Sequence, residues 1–138
     1  MKKICLLFLC VSVLFSCSDN NTTNKNPYIP NYNVNFTIDM NLPAYSNLKY
    51  VSNGIIVPGY GAKEGIIVFN AGNTYNAFDT ACPNQELNSC VAMTISGINA
   101  VCSCDEAQYS LFTGLGGKKY PLKQYRVEVS GTVIHVFN

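Results

Sequence analysis

From Val34 to the end of the chain, no stretch keeps apolar residues on a helical period for three turns. They alternate with polar residues instead, or cluster in short runs closed by Gly, Asn, Pro or Ser, as strands with buried faces do. Val34, Phe36 and Ile38 alternate with Asn35, Thr37 and Asp39, which predicts a strand with one face in a core. Further strands are expected over 48–52, 54–57, 65–70 and 74–79. Ala71-Gly72-Asn73 is read as the turn between the last two, because Gly and Asn tolerate positive φ. Near the C-terminus, 125–129 and 132–137 flank Ser130-Gly131, read as a two-residue turn. That register sets Val127 opposite Ile134 and Tyr125 opposite Val136 on an apolar face, with Arg126 opposite His135 on the outer one. The expectation is an all-β fold of antiparallel sheets.

The first residues read as targeting rather than structure. Lys2 and Lys3 precede an apolar run over 4–15 that is short for a membrane span. The run ends in Leu14-Phe15-Ser16-Cys17, which resembles the lipobox of bacterial lipoproteins. The resemblance implies removal of 1–16 as a signal peptide, loss of Cys5 and Cys10 with it, and acylation of Cys17 as a membrane anchor. Residues 17–33 are polar at first and then carry Pro27 and Pro30, so they are expected to form a flexible tether, extended near its end. Its Asn-rich start is similar to tethers of Bacteroidetes lipoproteins, which implies an outer-membrane location, with the face left open. Residues 34–138 are then of a size for one domain.

Charge excludes one class of partner. Charged residues make up 12% of the chain and the formal net charge is +1, so there is no basic face to replace counterions on phosphate, and nucleic acid is not expected as a partner. The one histidine, His135, has no evident serine or thiol to activate, so no catalytic residue is assigned. Asp79, Asp105 and Glu106 are read as solvated loop acids rather than a catalytic pair. Gly114-Leu115-Gly116-Gly117 follows a strand and precedes no helix, so it is a loop and not a phosphate cradle.

Four cysteines of the expected domain fall between 82 and 104: Cys82, Cys90, Cys102 and Cys104. The text around them is Ala77-Phe78-Asp79-Thr80-Ala81-Cys82-Pro83-Asn84 and then Cys102-Ser103-Cys104-Asp105-Glu106-Ala107-Gln108-Tyr109. These two boxes resemble those of Rieske-type domains, in which Cys-x-His is followed by Cys-x-Cys-His, a small residue and an aromatic. Tyr120-Pro121-Leu122 and the residues up to Gly131 are similar to that family's return to its base sheet, and the likeness spans roughly 51–137. It implies antiparallel sheets with a small inserted subdomain of cluster-binding type, about 80–116.

By position, Cys82 and Cys102 match the thiolate ligands of a [2Fe-2S] cluster, while Asn84 and Asp105 stand where the two histidines would be. A Rieske centre needs two thiolates on one iron and two imidazoles on the other, so this sequence lacks half the ligand set. Asp105 offers a carboxylate, but the Asn84 amide is a poor iron ligand. In some members of the family two further cysteines bridge the cluster loops, and Cys90 and Cys104 match them, which implies a Cys90–Cys104 disulfide. A second bridge, Cys82–Cys102, is left open, as are a cluster with altered ligands and a structural zinc site, for which a single Cys-x-Cys pair is poor spacing. The leading expectation is a membrane-anchored domain without a standard cluster that binds or scaffolds an envelope protein. Electron transfer through a [2Fe-2S] cluster is the alternative.

Overall fold

The computed structural model describes residues 26–63 and 65–138. The expected signal peptide, Cys17 and the first part of the expected tether therefore lie outside the described residues. The domain is all β apart from one 3₁₀ helix, and its strands are β1 (Asn35–Asp39), β2 (Gly54–Pro58), β3 (Gly65–Asn70), β4 (Tyr75–Asp79), β5 (Thr94–Ser96), β6 (Asn99–Val101), β7 (Gln108–Ser110), β8 (Gln124–Ser130) and β9 (Val133–Phe137). Six of them form one sheet in the order β1-β9-β8-β4-β3-β2, and β5-β6-β7 form a second, small one. All the pairings are antiparallel. The small sheet is inserted between β4 and β8, where the two cysteine boxes lead one to expect a separate subdomain.

The alternation of the sequence decides which face each residue takes. In β1 and β9, Phe36, Ile38, Ile134 and Val136 are buried and share one core with Val57, Val68, Ala77 and Tyr125. Phe36 on one edge strand stacks on Tyr60, just past the other edge strand, with ring centroids 4.3 Å apart, so the sheet curls around this core. β3 is buried along its whole length. Its side chains serve two cores: Ile66 and Val68 face the curled interior, while Ile67 and Phe69 face the inserted subdomain with Phe78, Met93, Tyr109, Leu111 and Leu122. An unbroken apolar run in a strand is the signature of burial on both faces.

Three sequence expectations change. Over 48–52 there is no strand, because Pro43–Lys49 is a 3₁₀ helix with a proline in its first turn. Leu48 alone is buried there, Tyr50 and Val51 are exposed at 67% and 58%, and Ser52 reverses the chain at φ 66°. In the C-terminal hairpin the turn is Gly131-Thr132, with Ser130 opposite Val133, Val127 opposite Val136 and Glu128 opposite His135. Gly131 has φ 60°, which suits the first central position of a type II′ turn. A slip of two residues keeps every side chain on its face, so the apolar side is unchanged. Finally, residues 26–33 are not a free tether. Ile29 is 2% exposed, Asn26 Nδ2 donates to Pro83 O at 2.7 Å, and Lys123 Nζ donates to Pro30 O and Asn31 Oδ1, both at 2.8 Å. One apolar side chain and these bonds dock the segment, so the domain boundary lies before residue 34.

Candidate functional site

The two cysteine boxes sit on the two long loops of the inserted subdomain, one between β4 and β5 and the other between β6 and β7. The structure joins Cys82 to Cys102 and Cys90 to Cys104. These are the bridge implied by the family likeness and the second one it left open. The two bonds differ in exposure: Cys82, Cys90 and Cys102 are buried at 4%, 6% and 1%, whereas Cys104 is exposed. They also touch, since Cys90 Sγ lies 3.3 Å from Cys82 Sγ and 3.6 Å from Cys102 Sγ.

The residues in the histidine positions are committed to holding the loops. Asn84 Nδ2 donates to Tyr109 Oη at 2.9 Å and to Tyr120 O at 2.8 Å, and Asn84 Oδ1 accepts from Tyr120 N at 3.0 Å. Both amide hydrogens and the oxygen are thus occupied. On the other loop, Asp105 Oδ1 accepts from Ala107 N at 3.1 Å, spanning Glu106, which stands at φ 54°. Its Oδ2 accepts from Gln85 Nε2 at 3.1 Å, which ties the second loop to the first, and Lys118 Nζ stands 3.6 Å away. Burial alone would raise the Asp105 carboxyl, but the Ala107 amide, the Gln85 amide and the Lys118 charge together hold it below the usual carboxylate range. A depressed carboxylate contributes stability above its ordinary value of about 4, and that contribution is lost as pH falls through the lower folded value. Thermal melts of Asp105→Asn should therefore lose part of the acid dependence seen in the parent below about pH 4.

Asp79 is not a solvated loop acid. It is fully buried, and it accepts hydrogen bonds from Ala62 N at 2.7 Å, Ala81 N at 2.8 Å and Tyr125 Oη at 2.8 Å. It shares no partner with Asp105, so the two acids form no pair. His135 lies on the six-stranded sheet, where its Nε2 meets Asn35 Oδ1 at 2.9 Å and its ring stacks on Phe137. The histidine is thus far from the cysteine loops, as its outer-face position in the hairpin leads one to expect.

Two residues support the site through contacts that the sequence does not announce. Tyr109 is 1% exposed and supplies the hydroxyl that receives Asn84. Gly116 lies against that ring: a Cβ there would overlap the Tyr109 ring and come within 2.5 Å of Gln108 O. Backbone cannot yield as a flexible side chain can. Gly116→Ala should cost about 2 kcal/mol by denaturant titration, within the range for overpacking.

The ligand set of a Rieske cluster does not fit this arrangement. Cys82 and Cys102 are bonded to each other, Asn84 offers only an amide oxygen that already accepts from Tyr120 N, and the single imidazole of the chain is held on another sheet. A grouping with metal-like spacing does exist, because the Sγ atoms of Cys82, Cys90 and Cys102 all lie within 4.8 Å of one another. Thiolates there would require both disulfides to be reduced first.

No family model matches the sequence. No curated protein matches it either. Among solved structures, the chain is similar to the ferredoxin of carbazole 1,9a-dioxygenase from Nocardioides aromaticivorans IC177, at 20% identity over 66% of this chain and 91% of that one, with a TM-score of 0.43. It is also similar to a chain in a complex of reduced oxygenase and oxidized ferredoxin in carbazole 1,9a-dioxygenase, at 19% identity over 73% and 92%, with a TM-score of 0.47. A third is a Sphingomonas yanoikuyae B1 ferredoxin, at 18% identity over 67% and 93%, with a TM-score of 0.44. Scores this low mark a loose likeness, and the architecture stands on the strand order and register above.

Proposed function

We propose that the protein is a lipid-anchored module of the bacterial cell envelope, held on the outer membrane through Cys17, whose disulfide-tied tip binds an envelope protein in place of carrying a Rieske cluster. The observation that carries this reading is the closure of the tip. All four cysteines of the inserted subdomain are in disulfides, and Asn84 and Asp105 brace the loops through backbone and side-chain hydrogen bonds. The rigidity that a cluster would lend to two long loops is supplied by covalent bonds instead. The same subdomain exposes Val91 and Leu115 at 66% and 62%.

A second reading rests on the close approach of Cys82, Cys90 and Cys102 Sγ. In a reduced protein these thiols would hold a metal or an altered iron–sulfur cluster, and the module would then pass electrons.

One preparation tests both. The full-length protein, made in an oxidising compartment and extracted in detergent, is alkylated before and after reduction and weighed, and its iron, visible absorption and EPR spectrum are measured. The expected result is no alkylatable thiol at Cys82, Cys90, Cys102 or Cys104 and no stoichiometric iron. Stoichiometric iron with a cluster spectrum would overturn the disulfide-tied tip and support electron transfer. Cys17→Ser should move the protein from the membrane to the soluble fraction, and continued membrane retention would overturn the lipid anchor.

A further inference from the structure

The two disulfides lie in van der Waals contact, and either bond would tie the two loops by itself. Here the bonds are also arranged in series from solvent to core. Cys104 is exposed, Cys90 is bonded to it but buried, and Cys82–Cys102 lies beneath. No reductant from solution reaches the inner pair directly, with Cys82 at 4% and Cys102 at 1% exposure. Cys90 Sγ, in contrast, already stands 3.3 Å from Cys82 Sγ and 3.6 Å from Cys102 Sγ. The two separations set Cys90 Sγ beside the inner bond rather than in line with it, and release from Cys104 frees the Cys90 side chain to turn about χ1 onto the line of that bond.

We propose that the sulfur cluster is a thiol–disulfide relay, with Cys104 facing an external dithiol, Cys90 as the shuttle and Cys82–Cys102 as the buried end. The proposal rests on the two disulfides of the reading above and adds an activity to them. In the first step a thiolate of the external dithiol attacks Cys104 Sγ, the Cys90–Cys104 bond breaks, and Cys90 leaves as a thiolate. The second thiol of the reagent resolves the mixed disulfide and frees Cys104, so the dithiol leaves as its own disulfide and two electrons and two protons have entered the protein. In the second step the Cys90 thiolate attacks Cys82 Sγ. A Cys82–Cys90 bond forms, the Cys82–Cys102 bond breaks, and Cys102 leaves as a thiolate that takes up the proton Cys90 gave up. No electron is gained or lost in that exchange; the thiol has moved into the core. Attack on Cys102 Sγ gives the mirror outcome, with Cys82 freed.

The fold suits this traffic. The loops are held by bonds that do not involve sulfur, namely Asn84 to Tyr120, Gln85 to Asp105 and Met93 N to Thr80 O, so one disulfide can open while the sulfurs stay in register.

The test uses the full-length wild-type protein treated with a limiting amount of a small dithiol, quenched in acid, alkylated and mapped by mass spectrometry. Each protein that has taken up two electrons should carry one label on Cys104, with the second spread over Cys90, Cys82 and Cys102, so that Cys82 and Cys102 together carry at least as much as Cys90. Label confined to Cys90 and Cys104 would overturn the relay. So would label on Cys82 and Cys102 with Cys104 still bonded, since the inner pair would then be reached directly. A second measurement needs no reductant: Cys104→Ser leaves Cys90 as a thiol, and its native disulfide map should contain Cys82–Cys90 or Cys90–Cys102 beside Cys82–Cys102. Cys82–Cys102 alone, with Cys90 alkylated, would overturn the proposal. Failure of the underlying reading looks different, because a protein with bound iron yields no disulfide at the start of either measurement.

Discussion

Asp79→Ala should lower the unfolding free energy by about 4 kcal/mol in urea titration, from the loss of several charge-assisted hydrogen bonds at a buried site. The carboxylate is fully buried at the end of β4 and accepts from Ala62 N, Ala81 N and Tyr125 Oη. Alanine removes the acceptor and leaves those donors facing one another, which costs more than the bonds themselves contributed. Tyr125→Phe removes one donor from a carboxylate that keeps two others, and should cost only about 1–2 kcal/mol. The pair also gives the alkaline limb of stability a definite cause. Burial, and then the charge of Asp79, push the Tyr125 hydroxyl well above the usual tyrosine range. A group whose folded value is raised holds its proton better in the folded state, so the stability it lends is full below about pH 10 and declines as pH rises beyond it. Tyr125→Phe should flatten that decline. An unchanged alkaline limb would mean that another group causes it.

Replacing the inner disulfide, Cys82→Ala with Cys102→Ala, should lower stability by about 3 kcal/mol from loop closure alone, which corresponds to roughly 15 °C in melting temperature for a domain of this size. The bridged residues are 20 apart, and those of the outer bond, Cys90–Cys104, are 14 apart. Closure entropy grows only slowly with loop length, so the two bonds are close to equal on that count. Burial separates them. Both inner sulfurs lie in the core with Met93, Tyr109 and Leu111, and two alanines there leave a cavity, adding about 1 kcal/mol to the inner pair's loss. The outer pair includes the exposed Cys104 and should cost less. Melts of the two double variants, each compared with the parent, read this order directly. Equal losses would show that the inner site relaxes without a cavity, and losses well under 1 kcal/mol for both would show that the bonds are open in the folded protein.

Most of the scaffold was legible in the sequence because its signals are local. Period-two alternation marked β1 and β9, and the unbroken run over 65–70 marked a strand that proves to be buried on both faces. The hairpin register was misplaced by two residues because Ser130-Gly131 and Gly131-Thr132 are both plausible turns on local chemistry, and only the geometry at Gly131 selects the second. Residues 48–52 read as a strand on composition, yet no strand pairs with them; Leu48 is held from a 3₁₀ helix, its carbonyl accepting from Asn70 Nδ2 and Tyr75 Oη.

Burial of polar groups was the hardest quantity to foresee. An aspartate in a strand-to-loop junction is usually solvated, and nothing near Asp79 in sequence announces Tyr125, 46 residues away, as its partner. The same holds for Ile29, which reads as part of a polar tether yet is buried in the fold.

The sequence by itself determined that the domain is built from antiparallel strands and that four cysteines lie on two loops without the histidines of a Rieske centre, because residue type and spacing are local properties. Tertiary structure decided the rest. It set which sulfur bonds to which, that one disulfide faces solvent while the other is buried, and that Cys90 stands within reach of both inner sulfurs. Those facts depend on how loops distant along the chain pack against each other, and packing between distant segments is a property of the folded whole.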